Sequence, residues 1–274
     1  MKIKNLQPPN VQTAREVSNQ AFPDKPFLAL LYSSKGTGKT NTLVNIVKEY
    51  DKTRFFQKVY LFSPSIHSDP KYSLLNDGNY EIRTYPEYSD EKLREVIDEI
   101  RYDIQRWKDW ERLQKLYEKS KKAKNESIFT DDELLDLFML NWTEPEKPFD
   151  KLPFSLIIFD DLASNKELMK QGKSLMSSFA LLHRHQYTSL MFSTQLFRNA
   201  LPRMIRNNLD WLVLGPNKSE KVMLEVAEEL NSYVSEKELV RLWSKATEDP
   251  YNYFTVNLMK PEFRFKKNFD ESIE

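Results

Sequence analysis

The residues best suited to chemistry form a short loop that contains two glycines and ends in a lysine and a threonine. The loop consists of Ser33, Ser34, Lys35, Gly36, Thr37, Gly38, Lys39 and Thr40. Such a loop ahead of a helix can point backbone N–H groups at phosphate oxygens, and the helix N-terminus adds a favourable potential for negative charge. We therefore predict that all eight residues help to bind the phosphates of a nucleotide.

Two side chains of this phosphate-binding loop (P-loop) have more specific roles. Lys39 carries a mobile positive charge for the β- and γ-phosphates, and the Thr40 hydroxyl is a suitable ligand for Mg²⁺. Gly36 and Gly38 allow the backbone to approach the phosphates in unusual conformations. The full P-loop pattern begins with glycine where this chain has Ser33, so the match departs from the pattern at one position. ATP and Mg²⁺ are the predicted cofactors.

Two carboxylates end the apolar segment Phe154–Asp161. The apolar run predicts a buried strand, and the acidic pair at its end has the form of a Walker B motif. We predict that Asp160 holds the Mg²⁺ shell together with Thr40, and that Asp161 polarises the attacking water. Because the transition state of phosphoryl transfer is loose, such a carboxylate needs only to orient water and to accept a proton late.

Two further polar residues flank the next predicted strand, Ser189–Thr194. Gln195 follows this strand directly and is placed to sense the γ-phosphate or to orient water; a polar cap on the surface is the alternative. Arg184 is the preferred candidate for an arginine finger that reaches a neighbouring subunit's γ-phosphate, because arginine delivers a fixed charge with two donors. An ordinary surface arginine is the alternative. The competing candidates for the finger are Arg198, Arg203 and Arg206.

The alternation of apolar runs with amphipathic segments predicts an α/β fold with a central, mainly parallel sheet. The five main strands are predicted at Phe27–Tyr32, Lys58–Phe62, Phe154–Asp161, Ser189–Thr194 and Asp210–Leu214. A strand between the P-loop strand and the Walker B strand is typical of the additional-strand, RecA/FtsK-like group of P-loop NTPases. We therefore expect the spatial order 5-1-4-3-2. Further extended segments are predicted at 80–84 and 251–259.

Helices are predicted for the remaining amphipathic segments. Their bounds are Lys39–Tyr50, Lys166–Arg184, Glu220–Leu230 and Glu236–Ala246. Residues 90–124 contain neither Gly nor Pro and carry apolar residues at alternating four- and three-residue spacing, which predicts a long helix. Thr130 is a predicted N-cap for another helix at Asp131–Leu140. We accordingly expect an N-terminal arm at 1–26 and a P-loop ATPase domain at 27–274, with a helical insertion at about 90–150.

The composition excludes several classes of protein. Lys plus Arg and Asp plus Glu both number 41 among 274 residues, so a nucleic-acid contact would have to use a local basic patch. The chain has no cysteine, which excludes disulfides, thiolate catalysis and cysteine-based zinc sites. The longest apolar runs are too short to cross a bilayer, and the N-terminus lacks the apolar run of a signal peptide, so we expect a soluble intracellular protein.

Together these residues resemble a known family. The P-loop, the segment Leu156–Leu162, the pair Arg184-His185, the terminal Gln195 and the segment Leu201–Asn208 are similar to those of viral genome-packaging ATPases of the FtsK/HerA superfamily. These ATPases occur in large nucleocytoplasmic DNA viruses, virophages and related elements. The resemblance spans about residues 27–215. It implies an ATP-hydrolysing motor that translocates double-stranded DNA of any sequence into a preformed capsid.

The resemblance also implies partners and a location. The family acts as a homo-oligomeric ring, pentameric or hexameric, and we expect a capsid or portal-like vertex protein as its partner. The expected location is the host cytoplasm, in a viral factory, or the virion. DNA contacts would use phosphates and not bases, because a packaging motor must accept any sequence. The candidates for these contacts are Arg198, Arg203, Arg206, Lys119, Lys121, Lys122 and Lys124.

Several alternatives stay open at this point. The lysine cluster could simply be a solvated face. Segment 90–150 does not map onto the family core, and could contact a capsid vertex, a neighbouring subunit or DNA, or form a solvated helical hairpin on the sheet edge. For the whole chain, the alternative functions are a P-loop enzyme such as a small-molecule kinase, or a nucleotide-dependent assembly protein that does not act on DNA.

Overall fold

A computed structural model describes residues 14–168, 170, 174–198, 201–217 and 220–273. The chain divides into two compact units, one formed by Met1–Arg94 with Phe154–Glu274 and the other by Glu95–Pro153. The first half of the predicted N-terminal arm, residues 1–13, lies outside the described residues. Residues 14–26 contain no helix or strand, but Phe22 is buried and packs on Trp211 with ring centroids 5.0 Å apart.

The first unit is built on one sheet, to which nine strands belong in the described part of the chain. They are β1 (Leu28–Tyr32), β2 (Lys58–Phe62), β3 (Glu81–Tyr85), β4 (Ser155–Asp160), β5 (Thr188–Thr194), β6 (Trp211–Leu214), β7 (Phe254–Asn257), β8 (Phe265–Lys267) and β9 (Glu271–Ser272). Their spatial order is β3-β2-β4-β5-β1-β6-β7-β8-β9. Strands β1 to β6 pair in parallel, whereas β7, β8 and β9 add to β6 in antiparallel fashion.

The predicted mainly parallel sheet and its core order are confirmed. The five strands predicted as the main ones are β1, β2, β4, β5 and β6, and their order in the sheet is 5-1-4-3-2 when they are numbered along the chain. The extended segment predicted at 80–84 is edge strand β3, and the segment at 251–259 contains the shorter strand β7. Strands β8 and β9 were not predicted, because they are only three and two residues long and are half-buried and exposed, respectively.

The helices of the described residues are mostly those expected from the sequence. They are α1 (Lys39–Asp51), α2 (Asp90–Lys122), α3 (Asp131–Met139), α4 (Leu175–Leu182), α5 (Arg203–Arg206), α6 (Glu220–Glu229) and α7 (Glu236–Ala246). Short 3₁₀ helices cover Pro70–Leu75, Glu126–Ile128, His183–Gln186 and Pro261–Phe263. Within the described ranges, no helix combines the length and the apolar character needed to cross a membrane.

The helix predicted at Lys166–Arg184 is wrong in its first part. Residues 166–168 form turns, residues 169 and 171–173 lie outside the described part of the chain, and the described helix begins at Leu175. The Asn165 side chain caps the short turn by accepting from the backbone N–H groups of Glu167 and Leu168, but the extended backbone of Ser174 prevents one continuous helix up to Arg184. The Ser174 hydroxyl then accepts from the N–H of Ser177 and caps α4. Short polar side chains of this kind compete with helical hydrogen bonds and favour turns and caps.

The second unit contains most of α2 and the helix α3. Helix α2 is a single helix of 33 residues, as the uninterrupted apolar spacing predicted. The predicted N-cap is also confirmed: Thr130 Oγ1 accepts from the backbone N–H of Glu133, and the Glu133 carboxylate accepts from the N–H of Thr130. Lys119 Nζ lies 2.8 Å from a Glu133 oxygen and links the two helices.

An aromatic row runs across the sheet close to the carboxyl ends of its strands. Tyr85, Phe62, Phe159 and Phe192 occupy matching register positions on β3, β2, β4 and β5. Neighbouring rings stack with centroids 4.6, 5.4 and 4.9 Å apart. Since Phe159 immediately precedes Asp160, this packing holds the end of β4 in register with its neighbours.

We predict that Phe159→Ala destabilises the fold by about 3–5 kcal/mol, because it removes a fully buried ring from the middle of this row. Phe138→Ala is the matched control: Phe138 is 70% exposed on α3, and its loss should change the free energy of unfolding by less than about 0.5 kcal/mol. Urea denaturation of both variants measures the difference. Equal stability of the two variants would contradict the importance of the aromatic row.

Candidate active site

The P-loop connects the end of β1 to the start of α1. Gly36 and Gly38 have φ values of 82° and 89°, in the left-handed region that favours glycine, which is the predicted reason for these residues. Helix α1 begins at Lys39, directly after Gly38. The loop is braced internally, because the Thr37 hydroxyl donates to the carbonyl of Ser34 at 2.8 Å and is hydrogen-bonded to Ser33 Oγ.

The structure explains how Ser33 replaces the usual first glycine of the loop. Ser33 is fully buried, and its side chain fills a space beside Gly215, the residue after β6. A Cβ atom on Gly215 would lie 2.3 Å from Ser33 Oγ, which is far inside van der Waals contact. The missing side chain at Gly215 therefore accommodates the extra side chain at Ser33. The sequence did not reveal that Gly215 makes room for Ser33, because the two residues are far apart along the chain.

Three of the predicted catalytic side chains meet at the carboxyl edge of the sheet. Lys39 Nζ lies 2.8 Å from Asp161 Oδ1, and the Gln195 amide donates to the same oxygen at 3.4 Å. Lys39 is 7% exposed, whereas Asp161 and Gln195 are open to solvent. Asp161 has a φ of 52° and donates its backbone N–H to the carbonyl of Ser193. A buried cation therefore lies beside an accessible carboxylate and an accessible amide.

The fourth predicted residue, Asp160, is buried within the same edge and is 1% exposed. Its Oδ2 atom accepts a hydrogen bond from the Tyr72 hydroxyl and a longer one, 3.5 Å, from Ser63 Oγ. Burial raises the pKa of Asp160 from its ordinary value, while the nearby hydroxyls of Ser193 and Tyr72 act in the opposite direction. Burial and the neighbouring Asp160 also raise the pKa of Tyr72, so that hydroxyl is a donor at neutral pH.

The second oxygen of Asp160 fits the predicted role in holding Mg²⁺. Among the described residues, Asp160 Oδ1 and its register neighbour Ser193 Oγ both lack a hydrogen-bond partner of normal geometry. A buried carboxylate oxygen without a partner is unfavourable, and a cation with its water shell would satisfy it. The described part of the chain has no cluster of three acidic or histidine side chains. Mg²⁺ usually keeps water and phosphate ligands and takes few ligands from protein, and the predicted ones are Asp160 and Thr40.

Tyr72 is a site residue that the sequence did not reveal. It belongs to the 3₁₀ helix Pro70–Leu75, in which the Asp69 side chain caps the start by accepting from the N–H of Lys71 at 3.0 Å. The segment follows β2, so its Tyr72 side chain returns to the carboxyl edge. The available signal was the Asp69-Pro70 pair, which favours the start of a helical turn, but nothing local indicates that Tyr72 faces Asp160.

Arg184 does not join the site of its own chain. Its guanidinium is paired with Asp210, and Asp210 accepts from the backbone N–H of Leu28, the first residue of β1. Arg184 thus lies at the amino edge of the parallel strands, whereas the P-loop leaves β1 at its carboxyl end. Five residues of extended chain separate the two edges, about 16 Å. Its predicted role as a finger in a neighbouring subunit stays a prediction.

The residues next to Arg184 are structural. His183 is buried, and its Nδ1 lies 2.6 Å from the carbonyl oxygen of Thr188. Burial lowers the pKa of His183 to about 4, so its ring is neutral at physiological pH. Tyr187 accepts a backbone bond from Ser155 at the start of β4. These contacts fix the short 3₁₀ helix that carries Arg184, which leaves 44% of that side chain exposed.

The other basic candidates are in different environments. Arg206 is 10% exposed, pairs with Glu229 at 2.8 Å and donates to the carbonyl of Leu201, which is a structural role. Arg198 is ion-paired with Glu228, and Arg203 is exposed on α5. In the lysine cluster, Lys119 and Lys121 pair with Glu133 and Glu118, while Lys122 and Lys124 are exposed. Acidic partners thus reduce the positive charge at several of these positions.

The sheet order, the P-loop and the acidic end of β4 define the fold of an additional-strand P-loop NTPase. Among solved structures, the DNA-packaging ATPase B204 from Sulfolobus turreted icosahedral virus matches with a TM-score of 0.52 and 12% identity, over 89% of this chain and 98% of that chain. The genome-packaging NTPase B204 from Sulfolobus turreted icosahedral virus 2 has a TM-score of 0.50 and 10% identity in complexes with AMP and with sulfate. These matches cover 89% and 91% of this chain and 96% and 98% of the other. No protein-family model and no curated protein sequence matches the chain. At such low identity the likeness concerns the fold.

We predict that Tyr72→Phe weakens the Mg²⁺ dependence of nucleotide binding, because Asp160 loses the donor that orients its carboxylate. Partners of metal-holding residues typically contribute about 10–100-fold in metal affinity, so the Mg²⁺ concentration for half-maximal binding should rise roughly tenfold. Binding without Mg²⁺ should be unchanged. Titration of a fluorescent ATP analogue at several Mg²⁺ concentrations measures both quantities.

Tyr80→Phe is the control for this experiment. Tyr80 also carries a buried hydroxyl, but this hydroxyl has no hydrogen-bond partner in the described part of the chain. The variant should therefore bind nucleotide and Mg²⁺ like the wild type. A Tyr72→Phe protein with the Mg²⁺ dependence of Tyr80→Phe would show that Tyr72 does not orient Asp160.

Proposed function

We propose that this chain is an ATPase that couples ATP hydrolysis to translocation of double-stranded DNA and packages a viral genome into a capsid. The observation that carries the proposal is the meeting of Lys39, Asp160, Asp161 and Gln195 at the carboxyl edge of a sheet with the 5-1-4-3-2 order. A phosphate-binding loop, a metal-holding carboxylate, a water-orienting carboxylate and a polar sensor are the parts that hydrolysis of a γ-phosphate requires.

The proposed chemistry follows from these positions. Backbone N–H groups of the P-loop and the Lys39 ammonium bind the β- and γ-phosphates. Bound Mg²⁺, held by Thr40 and Asp160, would neutralise charge that develops on the phosphate oxygens. Asp161 is exposed next to Lys39 and orients the attacking water, whose proton it accepts late in the reaction. The Gln195 amide, hydrogen-bonded to Asp161, fixes that carboxylate and senses the γ-phosphate.

Two considerations support DNA as the substrate of the motor. The sequence motifs resemble those of genome-packaging ATPases, and a solved structure with this fold is described as a DNA-packaging ATPase. The balanced charge of the chain favours DNA contact through a local basic patch. Arg203, Lys122 and Lys124 are candidate residues for such a contact, because they are exposed. Such residues would bind phosphates without reading bases.

The position of Arg184 supports assembly into a homo-oligomeric ring. An arginine at the amino edge of the sheet cannot serve the P-loop of its own chain at the carboxyl edge. Repeated head-to-tail contacts would place the amino edge of one subunit near the carboxyl edge of the next, and such contacts form a ring where the rotation between subunits closes. We propose that Arg184 acts as the arginine finger at this contact between subunits. The proposed partner of the ring is a capsid or portal-like vertex protein. The ring is proposed to work in the host cytoplasm or in the virion.

We predict that the purified protein hydrolyses ATP and that double-stranded DNA of unrelated sequences stimulates this activity, with less stimulation as salt increases. Lys39→Ala should reduce turnover roughly 100-fold or more, because the substitution removes the positive charge that stabilises the γ-phosphate. Lys48→Ala is the matched control, since Lys48 is an exposed lysine on α1, the helix that begins at Lys39. Turnover that DNA leaves unchanged at every salt concentration would contradict the motor and favour a P-loop enzyme that does not act on DNA.

We further predict that Arg184→Ala subunits bind ATP normally but hydrolyse it slowly. Asp161→Asn subunits should also be inactive, and mixing the two should restore part of the activity, because a mixed ring contains sites with an intact Asp161 beside an intact Arg184. Arg241→Ala serves as the control, since Arg241 is likewise half-exposed and ion-paired. Arg184→Lys, which keeps a cation beside Asp210, separates a loss of the finger from a loss of folding. Failure of every mixing ratio to restore activity would exclude a finger acting in trans.

A further inference from the structure

Tyr251 is an exposed aromatic residue that lies directly against the P-loop. Its side chain is 68% exposed, although large apolar rings usually pack away from water. A Cβ atom on Gly38 would lie 3.1 Å from Tyr251 Cδ1 and within 4.0 Å of two more ring atoms. The ring therefore lies next to the last glycine of the loop, and the absence of a side chain at Gly38 leaves room for it.

The backbone around Tyr251 is arranged to hold the ring in this place. Tyr251 has a φ of 66°, an unfavourable conformation for a bulky residue. Tyr253, two residues later, is buried; its hydroxyl donates to the Thr37 carbonyl at 3.1 Å, and its backbone N–H donates to Asn268 Oδ1. The following strand β7 is paired with β6. The segment is thus fixed to both the P-loop and the sheet, while the Tyr251 ring faces solvent.

Protein groups already occupy two other sides of the P-loop. Lys39, Asp161 and Gln195 lie at the end where the γ-phosphate belongs. Ser33 packs against Gly215, and the backbone of Ser34 is bonded to Pro216. The exposed face of Tyr251 beside Gly38 is therefore a suitable surface for the part of a nucleotide that extends out of the loop toward solvent.

We propose that Tyr251 is a stacking platform for the base of the bound nucleotide. This inference rests on the proposed nucleotide-binding function and adds the residue that recognises the base. Aromatic side chains stack on nucleobases irrespective of their hydrogen-bonding groups, and a larger ring system stacks over more area. The class of ligand is accordingly a purine nucleoside triphosphate, recognised by its ring face.

Binding of ATP and of inorganic tripolyphosphate to the full chain separates the base from the phosphates. Tyr251→Asn removes the ring but keeps a residue that tolerates positive φ, so it does not disturb the backbone. It should weaken ATP binding roughly 5- to 100-fold, the range expected from loss of one stacking partner, and change tripolyphosphate binding less than about twofold. Tyr251→Phe should bind both ligands like the wild type. Tyr102→Ala is the control, because Tyr102 is a similarly exposed tyrosine, 64%, on α2.

Each other outcome overturns the inference in a recognisable way. Unchanged ATP affinity in Tyr251→Asn means that the ring does not touch the base. Equal losses for ATP and tripolyphosphate mean that Tyr251 supports the shape of the P-loop instead. A Tyr251→Phe protein as weak as Tyr251→Asn means that the hydroxyl and not the ring face is recognised. A wild-type protein that binds neither ligand contradicts the proposed nucleotide site itself, which is a different failure.

Discussion

The burial of the Asp160 carboxylate is the constraint around which the site is organised. A charged group with 1% exposure is unfavourable unless partners compensate for the lost water. Tyr72 and Ser63 supply that compensation to one oxygen, whereas no residue in the described part of the chain donates a hydrogen bond of normal geometry to the other oxygen. The 3₁₀ helix Pro70–Leu75 has to return to the sheet edge to deliver Tyr72. A local turn after β2 thereby contributes to the candidate site at the end of β4.

The common direction of the parallel strands sets the positions of the other candidate site residues. Because β1, β4 and β5 run in the same direction and in register, the P-loop, the acidic pair and Gln195 all emerge at one edge. The same polarity sends Arg184 and its partner Asp210 to the opposite edge. One sheet thus separates the candidate site from an exposed arginine. In the proposed ring, the two surfaces would meet between neighbouring copies.

Small residues allow close approach at two positions of the P-loop. Gly215 makes room for Ser33, so a side chain at the first loop position is accommodated by a missing side chain on the neighbouring strand end. Gly38 makes room for the Tyr251 ring. In both cases a residue from the C-terminal part of the chain completes a loop near the start of the sheet. The parallel pairing of β6 with β1 brings Gly215 to the loop, and the antiparallel addition of β7 to β6 brings Tyr251 there.

The sequence by itself determined the elements with strong local signals. The apolar strands, the P-loop glycines and the Thr130 capping box depend on neighbours within a few residues. The order of the five main strands was expected because the motifs are typical of additional-strand P-loop NTPases. Local signals failed at Lys166–Leu168, because the extended Ser174 that caps α4 interrupts the helix that composition favoured. Only the tertiary structure decided that Tyr72 contacts Asp160, that Gly215 accommodates Ser33, that Tyr251 lies on Gly38 and that Arg184 is on the far edge. The reason is physical: contacts between residues distant in sequence depend on how the strands assemble, and no periodicity along the chain encodes them.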